Sequence, residues 1–158
     1  MCLYEHAMTT QQTDKKIMTD KEFPIKLQLR IDWSELDYFG HVNNVSFFKY
    51  IQSSRVNYWD NIGLTKSHQD TNIGPMLASC KCDFKKPLLY PGQVTILARV
   101  DFIKNTSFSI CHRLIDDRGE IAAEAQDVMV MFDFNRNEKI SFPKDLKDKI
   151  EKLENKLF

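Results

Sequence analysis

Apolar and polar residues alternate from Ile25 onward. Ile25, Leu27, Leu29 and Ile31 interleave with Lys26, Gln28, Arg30 and Asp32, the period of two expected of a strand with one buried face. The period then changes. No Pro or Gly occurs between Val42 and Ile62, and apolar residues recur there at helical spacing, which predicts one helix of about twenty residues with Gly63 as its C′ residue. Asn43 and Asn44 are the candidate N-caps, because an Asn carboxamide accepts from the free amides of a first turn. On a helical wheel Val45, Phe47, Phe48, Ile51, Val56, Tyr58, Trp59 and Ile62 fill one half. Ser46, Lys49, Ser53, Asn57 and Asp60 fill the other. Arg55 falls inside the apolar arc, so it must snorkel to the surface or find a carboxylate or carbonyl partner.

Beyond the helix, the polar stretch Thr65 to Asn72 reads as a loop, and four strand patterns follow. Met76, Ala78, Cys80, Cys82 and Phe84 alternate with Leu77, Ser79, Lys81, Asp83 and Lys85; Pro87 and Pro91-Gly92 mark the next turn. Val94, Ile96, Ala98, Val100 and Phe102 form the inner set of the second pattern, and Phe108, Ile110, His112 and Leu114 that of the third. Asp116 to Gly119 is a hairpin turn. The last strand runs from Ile121 to Phe134, and its segment Val128 to Phe132 is apolar on both faces, as a strand inside a sheet or at an oligomer contact would be. Pro143 opens a charged C-terminal helix reaching about Asn155. Residues 1–22 lack periodicity and read as a loose leader ahead of one domain over 23–158. One strand, one long helix and four consecutive strands predict an α+β domain, an antiparallel five-stranded sheet wrapped around a central helix.

Composition narrows the function classes. The 158 residues suit a single domain, and Lys plus Arg equals Asp plus Glu at 22 each, so no net field favours nucleic acid. No run reaches the ~18–20 apolar residues of a membrane span. The N-terminal residues lack a basic segment followed by an apolar one, so no secretory signal is expected. Cys80 and Cys82 share a strand face and suit buried thiols in a reducing cytosol better than a bridge. A metal reading of that pair needs more ligands at suitable spacing, and His6, His41, His68 and His112 are scattered. Phosphate-loop, nucleophile-elbow and zincin motifs are absent from the sequence.

The loop before the helix carries Asp37, Gly40, His41, Val42, Asn43 and Asn44 in the pattern DxxGHVNN. With Tyr50 and Arg55 on the helix, the order of elements and the KPLLYPGQV segment at 86–94, it resembles the 4-hydroxybenzoyl-CoA thioesterase-like branch of the hotdog superfamily, over about residues 23–142. The resemblance implies acyl-CoA or acyl-carrier-protein thioesters as substrates, a homodimer or homotetramer with the site between subunits, and no metal or other cofactor. It makes Asp37 the catalytic carboxylate and the backbone amide near Asn44 the group that polarises the thioester carbonyl. Gly40, His41, Val42 and Asn43 become the substrate-binding positions. Many relatives carry a Glu where this chain has Gln52, so the loop aspartate would act alone.

The chemistry agrees with that expectation. A thioester needs only a positioned water, a base and a polarised oxygen, and first-turn amides at a helix's positive end form an oxyanion site. Asp37 would act as general base or as direct nucleophile. Two rivals stand beside this cytoplasmic thioesterase: a hotdog module that binds acyl-CoA without turnover, and a hotdog acyl dehydratase or hydratase. The second ranks lower, because the helix acid and a dehydratase-type HFP segment are missing.

Overall fold

The computed structural model describes residues 22–158. The expected leader, but for Glu22, lies outside the described residues. The chain forms β1 (Ile25–Arg30), a 3-10 turn (Trp33–Glu35), α1 (Asn44–Asn61), α2 (Leu64–Thr71), β2 (Ile73–Phe84), β3 (Gln93–Ile103), β4 (Ser107–Ile115), β5 (Ile121–Asp133), β6 (Glu138–Lys139) and α3 (Lys144–Glu154). The five long strands pair antiparallel in the order β1-β3-β4-β5-β2, and the two-residue β6 pairs with β5. The doubly apolar run of β5 is explained by its place between β4 and β2.

The sheet curls around α1. One part of the core joins Phe47, Tyr50 and Ile51 of α1 to Val94, Ile96, Leu114, Ala123 and Ala125. Another joins Tyr58 and Ile62 to Val100, Phe108, Ile110, Met129 and Met131, with Leu146 and Ile150 of α3 completing it. Alternation brings Val94, Ile96, Ala98 and Val100 to the helix side, together with Phe108, Ile110, His112 and Leu114. Pro143 stands at the N-cap of α3, and Asn155 ends that helix in the left-handed conformation. Glu154 then accepts from the Tyr58 hydroxyl at 2.5 Å and from the Val100 amide at 2.7 Å, fastening α3 to both helix and sheet.

Four departures from strict periodicity shape the surface. First, β2 carries an extra residue at Ala78: Leu77 faces Met129 while Ser79 faces Val128. The bulge puts Leu77, and not Met76, on the helix side with Cys80, Cys82 and Phe84. Second, a bulge at Asp101 pairs Phe102 with Ser109 and Ile103 with Phe108. Ile103 thus joins the core and Phe102 turns away from it.

Third, the stretch expected to be a loop after Gly63 is helix α2. Gly63, at φ +72°, joins the two helices in the left-handed conformation, which a β-carbon would resist. Leu64 then plugs into the core, and His68 packs edge-on against Phe134 at 5.5 Å. A polar eight-residue segment becomes helical here through this docking rather than through its own propensity. Fourth, α1 is rotated from its sequence wheel. Its buried face includes Ser46, Ser54 and Arg55. Val45, Phe48 and Val56 remain 56%, 39% and 38% exposed, along a second stripe of the helix.

Candidate active site

The loop from Leu36 to Asn43 is held at both ends. Asp32 and Glu35 form a reciprocal capping box: Asp32 Oδ1 accepts from the Ser34 amide at 2.8 Å, and Glu35 Oε2 from the Asp32 amide at 2.9 Å. The same Glu35 oxygen accepts the Tyr50 hydroxyl of α1 at 2.5 Å, tying the loop's start to the helix. Burial and this carboxylate push the Tyr50 hydroxyl's pKa upward, so it remains a proton donor. At the loop's end the Asn43 amide donates to Glu35 O at 2.8 Å. The Val42 amide donates to Leu88 O at 2.9 Å, and His41 bridges to Leu89. The 86–92 segment therefore buttresses the loop, with the Leu88 and Val42 side chains both buried.

Inside this frame Asp37 makes a tight turn. Its Oδ1 accepts from the Phe39 amide at 2.9 Å and the His41 amide at 3.1 Å, while its own amide donates to His41 O at 2.7 Å. This is an Asx-type arrangement, closed by Gly40 at φ +78°. Asp37 is half-buried, and its Oδ2 has no hydrogen-bond partner among the described residues. Tyr38 and Phe39 project into solvent beside it, edge to face at 5.5 Å.

The first turn of α1 follows at once. Asn43 is the N-cap: its side chain accepts from the Val45 amide at 3.0 Å and its carbonyl from the Ser46 amide at 2.9 Å. The Asn44 amide has no partner among the described residues. A free first-turn N–H at the positive end of an eighteen-residue helix is suited to a negative oxygen. Asp37, Gly40, His41, Val42, Asn43 and Asn44 thus lie on one short arch. His41 and Asn44 are exposed, Asn43 is half-buried, and the Val42 side chain points into the core.

A second polar cluster lies under the helix. Arg55, 8% exposed, reaches Asp127 of β5 at 2.7 Å, which supplies the carboxylate its wheel position demands. His112 Nε2 lies 3.2 Å from the same Asp127 oxygen, and its Nδ1 3.1 Å from Ser54 Oγ. If Nε2 donates to the carboxylate, Nδ1 is left to accept the Ser54 hydroxyl. Burial pushes the Asp127 pKa up. The His112 hydrogen bond, the Cys80 thiol and the Arg55 charge outweigh that and hold it below the usual carboxylate range. The sequence signal for Asp127 was a lone acid at an inward position between Ala125 and Met129. For Glu35 the signal was its spacing from Asp32.

Val45, Phe48, Gln52, Val56 and Trp59 form the second stripe of α1, and its Val56 and Trp59 line a cavity with Gly74 and Pro75 at the start of β2. Phe84 meets Phe47 edge-on at 5.1 Å near the Asn44 end, and Leu77, Cys80 and Cys82 continue along the strand. Burial pushes the Cys80 thiol up to about 12 and the Cys82 thiol up to about 11, so both stay neutral at physiological pH. Gln52 is exposed on this stripe.

A family model described as the thioesterase-like superfamily matches residues 31–150. The long-chain acyl-CoA thioesterase FadM of Escherichia coli is 20% identical over 133 residues, covering 82% of this chain and 98% of that protein. A Thermus thermophilus thioesterase complexed with coenzyme A and zinc superposes with a TM-score of 0.77 at 23% identity, over 87% of this chain and 98% of the other. A 4-hydroxybenzoyl-CoA thioesterase variant bound to 4-hydroxybenzoyl-CoA gives 0.72 at 21% identity, over 80% and 97%. At these identities the two structures speak for the fold alone.

Proposed function

The chain belongs to the thioesterase-like superfamily, a family of hotdog-fold thioester hydrolases, and on that premise we propose that it cleaves acyl-CoA or acyl-carrier-protein thioesters with Asp37 and the Asn44 amide. The reading rests on one observation: a carboxylate oxygen and a first-turn helix amide, seven residues apart on one arch, both lack partners among the described residues. A thioester carbonyl seated at the amide would gather negative charge in the transition state, where a preorganised donor acts most strongly. Gly40, His41, Val42 and Asn43 shape the surface against which that thioester rests.

Two routes begin at Asp37 Oδ2. In the first it removes a proton from water, the hydroxide adds to the carbonyl, and the tetrahedral adduct expels the thiolate, which takes up the proton. In the second Oδ2 attacks the carbonyl and expels the thiolate, and water then opens the mixed anhydride. Rapid quenching during a single turnover with a radiolabelled acyl group separates them, because only the anhydride route leaves that group covalently on Asp37. Gln52 supplies no second carboxylate to either route.

A second copy of this chain completes the unit. Among the described residues β2 is an edge strand with its outer ladder unpaired, and Met76, Leu77 and Phe84 stand exposed along it. Such an edge is a template for strand pairing. A homodimer joined there, alone or doubled into a tetramer, would cover it.

Thiol release from a panel of acyl-CoAs tests the proposal. Asp37→Asn should retain the wild-type circular dichroism spectrum and lose about 10²–10⁴-fold in kcat, the usual worth of a general base. An Asp37→Asn rate equal to wild type removes Asp37 from the chemistry. Spontaneous background rates for both, with acyl-CoA still bound, make the chain a binding module. Hydration of an enoyl-CoA without thiol release makes it a hydratase.

A further inference from the structure

Two features lie outside the chemistry described so far: the exposed stripe on α1 and a cavity at its far end. The cavity has a volume of about 290 Å³ and is lined by Val56, Trp59, Leu64, His68, Pro75 and Phe134, with neighbouring atoms from α2 and the start of β2. It lies at the opposite end of α1 from the Asn44 amide. Val45, Phe48, Gln52, Val56 and Trp59 repeat every three or four residues, so they form one continuous wall between the two. β2 runs the other way beneath them, with Phe84 near the Asn44 end and Pro75 in the cavity. Its Cys82, Cys80 and Leu77 lie between, all on the helix side.

Resting on the thioesterase reading, we infer that this groove is the acyl channel and that the cavity receives the far end of a long, unbranched fatty acyl chain. The helix itself supplies the length. At about 1.5 Å per residue, Val56 lies about 18 Å and Trp59 about 22 Å beyond Asn44 along the axis. An extended alkyl chain advances about 1.25 Å per carbon, given carbon–carbon bonds near 1.5 Å. A thioester carbonyl at the Asn44 amide therefore reaches the cavity with on the order of 14 to 18 carbons. An aromatic or short acyl group would end near Phe48 and leave most of the wall uncovered.

The lining matches that cargo. The floor thiols are held neutral by burial, and Val56, Trp59, Leu64, Pro75 and Phe134 give the cavity an apolar boundary. The helix turns Ser46, Ser54 and Arg55 inward and leaves Val45, Phe48 and Val56 outside, so their side chains are free to line the channel.

Chain-length profiles test the inference. Wild type is expected to show its highest kcat/KM at about 14–18 carbons. Val56→Trp places an indole in the channel, and should lower the ratio of hexadecanoyl- to octanoyl-CoA kcat/KM at least tenfold, since a single methylene in an apolar pocket is worth about that much. Val56→Ala should move the optimum to longer chains, which keeps the test open if the larger residue disturbs folding. Ser53→Trp adds equal bulk on the solvent side of the same helix and should leave the ratio alone. A wild-type preference for short or aromatic esters, or a ratio unmoved by Val56→Trp and Val56→Ala, overturns the channel and leaves the hydrolase standing. Absence of hydrolysis for every ester overturns both.

Discussion

Asp127 and Glu154 are both enclosed carboxylates, and their surroundings push them in opposite directions. Burial raises the Asp127 pKa, but His112, Cys80 and Arg55 pull it below its ordinary 3.8. Its ionised form therefore favours the fold. That contribution is complete above 3.8 and is lost as pH falls through the lowered native value. Asp127→Asn strands the Arg55 guanidinium in the core, and should cost about 3–5 kcal/mol in urea denaturation, as the loss of one partner from a buried pair does. It should also remove this part of the acid-induced loss of stability. Glu154 behaves conversely. Burial raises it above 4.5, and the Tyr58 hydroxyl and Val100 amide only partly offset that. Protonation of Glu154 thus favours the fold, and stability from this group grows as pH falls through its raised native value toward 4.5. Glu154→Gln keeps an acceptor for both donors and should melt higher than wild type at pH 7, with the gap closing as pH falls to 4.5. A gap that persists unchanged in acid would deny the ionisation its role. The need of Arg55 for a partner was readable from its wheel position. The partner was not, because it lies 72 residues away, where only the strand register brings it.

At the level of elements, the strongest local signals carried through. The alternation of β1, β3 and β4, the Asn43 cap, the Gly63 stop and the helix opened by Pro143 all appear in the folded chain. What was not legible depends on contacts distant in sequence. The helicity of α2 comes from docking Leu64 and His68 against the core and Phe134. The bulges at Ala78 and Asp101 show only in the pairing of β2 with β5 and β3 with β4. A two-period pattern read past either point assigns the wrong face, as it does for Met76 and Phe102. The site loop was legible in its residues and not in its bracing. Nothing in DxxGHVNN announces that Glu35, Tyr50 and Leu88 hold it.

For the whole molecule, the open side is the one formed by β2 and the outer stripe of α1. Met76, Leu77 and Phe84 of β2 and Val45, Phe48 and Val56 of α1 leave exposed apolar surface there, of the kind that marks an interaction site. Pairing of two β2 edges would cover the strand and roof the channel in one step. Leu77→Lys sets a charge on that edge, and should shift wild-type dimer or tetramer to monomer in light scattering and lower turnover with it. A wild-type chain that is monomeric at micromolar concentration, with full activity, would rule out the shared edge.

The charge pair beneath α1 bears on all three levels. With apolar residues spread over two sides, hydrophobicity alone does not choose which side of this helix lies down. Arg55 and Asp127, with Ser54 and His112 alongside, act as a key in a slot that fixes the helix's roll. Replacing both charged partners with oily residues would leave a fold as firm as before or firmer. It would also free the cylinder to turn its outer stripe into the core, and the passage beside β2 would close. The buried charge pair, rather than the oily residues around it, would thus be what keeps that passage open.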